Sequence, residues 1–334
     1  MNYFRCTVGG SGGKWKLTVT CTSDYAGLAI TCSDGTTTLT KTCPSSSPYT
    51  VVFNIPNGGT WTISGTASGQ TGTTTVIIPD SATLNPPIPT GSTATPVNVI
   101  QTWLHCANIW NKSYTTINQV LADTSTLLAL ISSNNAADYM ARSTNWASSV
   151  CANVTAMGYI GNNNYCANKL LANSTWRNAI CNSTYFENVL NVKVPTMTSN
   201  TAPSGEAFGS TLWTGSNHYY AFDGVVDNAN SAYYYNPPCY CGYKFTQKIA
   251  AVKFMIRYGG SGATVTSRWQ GSNDGTNWVN LSSDKTYNIE QWYTDVINNT
   301  TKYQYYRIYI TASSAIAGSP GHSPIREMKI YGRA

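Results

Sequence analysis

The chain has 334 residues, only 10% of them charged, and its 20 Lys and Arg against 14 Asp and Glu give a formal charge of +6 spread without a basic block. That excludes the electrostatic footprint of a nucleic-acid binder, and no apolar run reaches the roughly 20 residues that insertion as a membrane helix requires. The length exceeds one ordinary sandwich and predicts two or three units, each burying its own core.

Residues 1–80 read as a first β unit. Met1 to Cys6 shows no basic-then-apolar pattern and runs into the glycines of 9–13, so export by the usual secretory route is not expected. Trp15, Leu17, Val19 and Cys21 alternate with Lys16, Thr18 and Thr20, which predicts a strand with one buried face. Asp34-Gly35 predicts a hairpin turn, and further strands are predicted at 28–32, 50–55, 61–64 and 73–78, punctuated by Pro56-Asn57-Gly58-Gly59 and Ser68-Gly69. The ten cysteines, with no oxidising compartment indicated, are read as free buried thiols, and Cys239-Tyr240-Cys241 lacks the partners of a zinc site. Residues 81–97 carry four prolines and predict an extended linker.

Residues 98–193 contain a ten-residue repeat. Leu130, Met140, Val150, Ile160, Leu170, Ile180 and Leu190 form one series, and Ala136, Trp146, Ala156, Cys166, Trp176 and Phe186 recur four residues before its members. A spacing of four puts both series on one helix face, and clusters such as Ser143-Thr144-Asn145 and Asn173-Ser174-Thr175 supply N-cap chemistry. Each repeat is therefore predicted as a helix of about seven residues plus a turn, which must stack on neighbours or on a symmetric partner. Of the seven Asn-x-Ser/Thr sequons, those at Asn153, Asn173 and Asn182 fall on these caps, which accounts for them without glycosylation.

Residues 194–334 read as strand after strand. Val252, Phe254, Ile256 and Tyr258 alternate with Lys253, Met255 and Arg257, and 305–310 mixes β-branched and aromatic residues. Arg268 to Trp278 combines a strand end with an Asn273-Asp274-Gly275 turn, and Trp278 and Tyr233 are expected in the core. Enzymatic constellations are scarce. Three histidines (His105, His218, His322) form no zinc motif, no glycine run has a phosphate-loop context, and no carboxylate pair stands out for glycoside hydrolysis, so a catalytic role is not expected.

Four segments in order carry a family resemblance: Ala221-Phe222-Asp223-Gly224; Gly271 to Trp278; Tyr306-Arg307-Ile308-Tyr309; and Ile325 to Gly332. On these, the last 140 or so residues resemble a discoidin domain, the coagulation-factor type C domain related to galactose-type carbohydrate-binding modules. The first 80 residues, with Gly59-Thr60-Trp61-Thr62-Ile63, are similar to small immunoglobulin-like modules of bacterial surface and phage virion proteins. The fold expected is multidomain and mainly β: an immunoglobulin-like sandwich, a short-helix repeat and a C-terminal discoidin-like jelly roll.

The resemblance implies a structural calcium ion held by Asp223, Asp227, Glu327 and carbonyls near Ala221 and Ser231. Ser231-Ala232-Tyr233 stands where Thr-x-Trp is usual, which leaves open whether Asp227 or Asn228 ligates. It also implies glycan binding at aromatic loops, for which the candidates are Trp213, His218, Tyr219, Tyr234, Tyr235 and Tyr240 with Arg268, and further Trp292 and His322. The whole arrangement is similar to phage fibre, baseplate or head-fibre proteins. The expectation is a virion-surface adhesin released by lysis, a homo-oligomer with a trimer favoured, docking to other virion proteins and binding host or mucus glycans. Alternative readings are a purely structural decoration or collar protein, an enzyme accessory chain, or a bacterial adhesin.

Overall fold

Seven strands build the N-terminal region: β1 (Phe4–Ser11), β2 (Lys14–Cys21), β3 (Ala29–Ser33), β4 (Thr38–Thr42), β5 (Thr50–Ile55), β6 (Gly59–Ala67) and β7 (Gln70–Ile78), with burial alternating along β3, β5 and β6. The computed structural model describes residues 4–11, 14–55, 59–78, 96–107, 109, 112–226, 230–260, 264–314 and 323–334. Its chain divides into two compact units, Met1–Asn173 and Ser174–Ala334. The architecture is multidomain and mainly β, and no helix among the described residues is long and apolar enough to cross a membrane.

In the first unit an antiparallel sheet β1-β2-β5 and a second, β4-β3-β6-β7, enclose one core. Leu17, Val19 and Cys21 are buried in it as their alternation predicts, whereas the Trp15 side chain lies outside the described residues. Cys21, Cys32 and Cys43 are buried there too, and desolvation pushes the thiols of Cys21 and Cys32 up to about 12. Both turn expectations hold. Asp34 Oδ1 accepts the N–H groups of Thr36 and Thr37 while Gly35 takes φ 89°, and Ser68-Gly69, with φ 51° and 76°, joins β6 to β7 in the two-residue turn that matches strand twist. Most of the predicted linker lies outside the described residues.

The repeat becomes α1 (Pro96–Cys106), α2 (Ile117–Ala122), α3 (Thr124–Ser132), α4 (Asn134–Arg142), α5 (Ala147–Cys151), α6 (Val154–Asn162) and α7 (Asn164–Ala172) in the first unit. Its last helices, α8 (Ser174–Asn182) and α9 (Phe186–Val189), belong to the second. The full repeat helices have nine residues rather than seven, because a single residue is the whole linker at Asp123, Ser133 and Asn163; Asn153 follows Ala152 between α5 and α6, and all four side chains accept the N–H three positions on. The cap predicted at 143–145 is not made. Trp146 instead turns onto Trp103, ring centroids 5.7 Å apart, and α5 starts only at Ala147.

Within the first unit, α1 packs on α4, α2 on α5, α3 on α6 and α4 on α7, so three helices complete one coil of about thirty residues. Polar side chains tie successive coils: Ser133 Oγ donates to the Cys106 carbonyl (3.2 Å), Asn163 Nδ2 to the Ile131 carbonyl (3.0 Å), and Asp138 receives both Tyr165 Oη (2.9 Å) and Lys169 Nζ (3.0 Å).

The rest of the second unit comprises β8 (Val192–Lys193), β9 (Glu206–Gly209), β10 (Ala232–Tyr234), β11 (Cys239–Tyr258), β12 (Thr264–Ser272), β13 (Val279–Asn280), β14 (Lys285–Asn288), β15 (Trp292–Val296), β16 (Tyr303–Ser313) and β17 (Ser323–Arg333). Strand β11 makes the sandwich. Its first half pairs with β9 and β16, its second with β15 and β17, and the register breaks between Lys244 and Ile249 where it passes from one sheet to the other. Val252, Phe254, Ile256 and Tyr258 are buried as predicted, with Phe254 against Trp269 at 4.6 Å. Buried Asp295 accepts from Trp269 Nε1 (2.9 Å), Tyr287 Oη (2.6 Å) and Lys285 Nζ (2.6 Å), a network that gives the Trp269 and Tyr287 donors their partner.

Two expectations fail here. Lys253, on the polar side of the alternation, is buried, because α8 and α9 cover that face: its Nζ donates to the Cys181 carbonyl (2.6 Å) and lies 3.4 Å from the Phe186 ring centre. Trp278 is not core but half-buried on the opposite side of the sheet, and Trp269 fills the interior instead.

Candidate ligand-binding loops

Two segments, 210–222 and 230–238, meet at one edge of the second unit. Leu212 bridges to Tyr234, and the Trp213 N–H donates to the Tyr233 carbonyl (2.9 Å). Ser216 laces them further: its hydroxyl donates to the Ser231 carbonyl (2.8 Å) and accepts the Tyr233 N–H (2.9 Å), while Gly215 beside it takes φ 86°. These bonds fix the backbone from which two aromatic side chains reach solvent. Trp213 is 46% exposed, Tyr235 is 39% exposed, and their ring centroids lie 5.4 Å apart at an interplanar angle of 41°.

The neighbouring tyrosines correct the expectation. Tyr234, predicted as a contact residue, is 0% exposed, and Tyr233, predicted as core, is the more open of the two. The reason is strand parity: Ala232 and Tyr234 share the inward face of β10. Tyr234 Oη bonds His218 Nδ1 at 3.0 Å, and desolvation holds the phenol well above and the imidazole below their usual ranges. Tyr219, on the 3-10 turn His218–Phe222, packs partly onto the core and against Tyr220 at 4.7 Å, and desolvation raises its phenol as well.

The other two aromatic-site candidates belong to a different surface. The Tyr240 ring lies 4.5 Å from the Arg307 guanidinium, and Arg268 sits 5.5 Å from the Tyr309 ring, within 3.4 Å of Asp284. Both are on the outward face of the β11–β16–β12 sheet, as the alternation with buried Cys239, Cys241 and Ser267 requires. Trp292 is on the other sheet beside Lys329 (5.2 Å), and His322 lies outside the described residues. The sequence reading did not select Arg307, Gln270 or Asn280, although Tyr305, Arg307 and Tyr309 alternating with Tyr306, Ile308 and Ile310 already place Arg307 outward.

Of the expected metal ligands, Asp223 and Glu327 converge on one turn: Asp223 Oδ1 accepts the Val225 N–H (2.8 Å) and Glu327 Oε2 the Gly224 N–H (3.1 Å). Glu327 is buried, and desolvation, reinforced by the nearby Asp223 charge, pushes its carboxyl up to about 8 against the opposing pull of the Gly224 bond. A buried acid beside a second carboxylate is a donor set that a hard cation fits. Asp227 and Asn228 lie outside the described residues, and the Ser231 carbonyl accepts Ser216. Among the described residues no group of three His, Cys, Asp or Glu could hold a metal ion.

No protein-family model matches the chain, and no curated protein matches it. Among solved structures it is similar to a CBM32 of AlyQ in complex with 4,5-unsaturated mannuronic acid (13% identity, 40% of this chain and 97% of that chain, TM-score 0.33). It is also similar to chitosan-binding module 1 from a chitosanase/glucanase of Paenibacillus sp. IK-5 (20% identity, 40% and 98%, TM-score 0.32). A third is CpGH89CBM32-5 of Clostridium perfringens in complex with GalNAc-beta-1,3-galactose (16% identity, 38% and 95%, TM-score 0.32).

Proposed function

We propose that the chain is a non-enzymatic glycan-binding protein whose recognition site is the loop pair carrying Trp213 and Tyr235. The observation that supports this is the exposed pair itself, on a backbone held by Ser216. Large rings exposed to water on a fixed base suit the apolar face of a pyranose, and the hydroxyl and amide groups of Ser210, Thr211, Thr214, Asn217 and Asn236 in these segments can meet its hydroxyls. The wider role we propose is that of a virion adhesin, in which residues 1–80 dock to other virion proteins, the helical repeat spaces or trimerises the chain, and the C-terminal domain contacts host or mucus glycans. A calcium ion held by Asp223, Glu327 and either Asp227 or Asn228 would brace the adjoining turn.

A glycan array probed with the full chain tests the reading. Trp213→Ala should weaken binding about tenfold, the equivalent of ~1.4 kcal/mol for one stacked ring, with little change in melting temperature because the side chain is exposed. Silence of the wild-type chain across the array would overturn glycan recognition and favour a structural role.

A further inference from the structure

The outward face of the β9–β11–β16–β12–β13 sheet presents a second constellation, sharing no residue with the loop pair. Register sets Tyr240 beside Tyr309, and Arg307 between Gly242 and Gln270, with Asn280 next in the row. The Arg307 guanidinium carbon is 3.8 Å from the centre of the Trp278 ring, 4.5 Å from that of Tyr240 and 5.1 Å from that of Tyr309. Gly242 lets Arg307 and the Phe208 ring pack closely over the strand, since a Cβ there would come within 2.8 Å of Arg307 Cβ and 2.6 Å of Phe208 Cζ. Arg307 Nε donates to Gln270 Oε1 (2.7 Å) and Gln270 Nε2 to Asn280 Oδ1 (2.7 Å), so a chain of amides fixes the guanidinium plane.

Charge separates Arg307 from its neighbours. Lys244 is matched by Glu206 at 3.7 Å and Arg268 by Asp284 at 3.4 Å, but among the described residues no acid pairs with Arg307 and neither Nη has a protein partner. Burial against the rings disfavours its charged form. A guanidinium held flat, partly desolvated and without a counter-charge presents two parallel N–H groups, the geometry that matches a planar carboxylate. The adjacent rings of Tyr240 and Tyr309 suit the apolar face of a sugar ring. We propose that this sheet face binds the carboxylate-bearing sugars of a uronate polysaccharide, with Arg307 taking the carboxylate and the pyranose lying against the neighbouring Tyr240 and Tyr309.

Calorimetry of the full chain with polygalacturonate, at two salt concentrations, tests the site. The wild-type chain should bind, more weakly at higher salt. Arg307→Gln should reduce affinity about tenfold or more, and Arg307→Lys about fivefold, because the ammonium keeps the charge and loses the fork. Asp284→Asn should raise affinity about threefold by releasing Arg268 on the same face, a gain that no loosening of the fold can mimic. Trp213→Ala should leave polygalacturonate affinity unchanged, which separates this site from the loops. Absence of wild-type binding, equal affinity for poly-glutamate, or an Arg307→Gln chain that binds as the wild type does would each overturn the proposal.

Discussion

Tyr234 Oη and His218 Nδ1 lie 3.0 Å apart with their rings within 16° of parallel, and this pair of a buried phenol and a half-buried imidazole supports the loop on which Trp213 and Tyr235 reach solvent. The arrangement assigns the consecutive tyrosines 233 to 235 different tasks. Tyr234→Phe keeps the ring packing and removes the hydroxyl's bonds to His218 and Cys241, so it should cost about 1 to 2 kcal/mol of stability and change glycan affinity less than about threefold. Denaturant unfolding alongside glycan titration measures both, and a larger loss of affinity would put Tyr234 in direct contact with ligand.

His218 itself should titrate below its ordinary 6.5, because burial disfavours the imidazolium. The folded pKa is lowered, so the unfolded chain takes up the proton first as pH falls through 6.5. This contribution to stability is therefore present above that value and is lost on the acid side, down to the folded midpoint. A titration of the His218 ring by NMR checks the midpoint, and His218→Gln should remove this part of the pH dependence.

Glu327 acts in the opposite sense. Its carboxyl is raised from 4.5 to about 8, so the folded state holds a proton that the unfolded state has released, and stability falls as pH rises through that window. The loss is on the order of 5 kcal/mol across the window, and Glu327→Gln should abolish it. If a cation occupies the site with Asp223, adding calcium should raise the melting temperature at pH 8 and leave it unchanged at pH 5, where Glu327 is protonated. No calcium effect at pH 8 in the wild-type chain would remove the ion from the proposal.

Asn163 and Asn153 provide a matched pair in the helical repeat. Both cap the helix that follows, but Asn163 also donates Nδ2 to the Ile131 carbonyl one coil away. Asn153→Ala should cost about 1 kcal/mol and Asn163→Ala about 2, the difference being the bond between coils. Equal losses in urea unfolding would show that the coil-to-coil bond contributes nothing.

Periodicity made much of the architecture legible in the sequence alone. The period of two marked strand faces such as Leu17, Val19 and Cys21, and the period of ten marked the buried helix positions from Leu130 to Leu190. Those signals are local: a residue's face follows from its neighbours in the chain, whatever the chain packs against. The aromatic character of residues 213–240 and the acids Asp223 and Glu327 were equally plain as composition. What only the tertiary structure decided was which of those residues share a surface. Parity in a three-residue strand is too short to read and buried Tyr234 rather than Tyr233; helices 70 residues upstream covered Lys253; and pairing of β11 with β16 and of β16 with β12 carried Tyr240 and Arg268 away from the loops to the sheet face around Arg307. Burial and charge pairing at those positions depend on contacts between segments distant in sequence, and no local pattern encodes them.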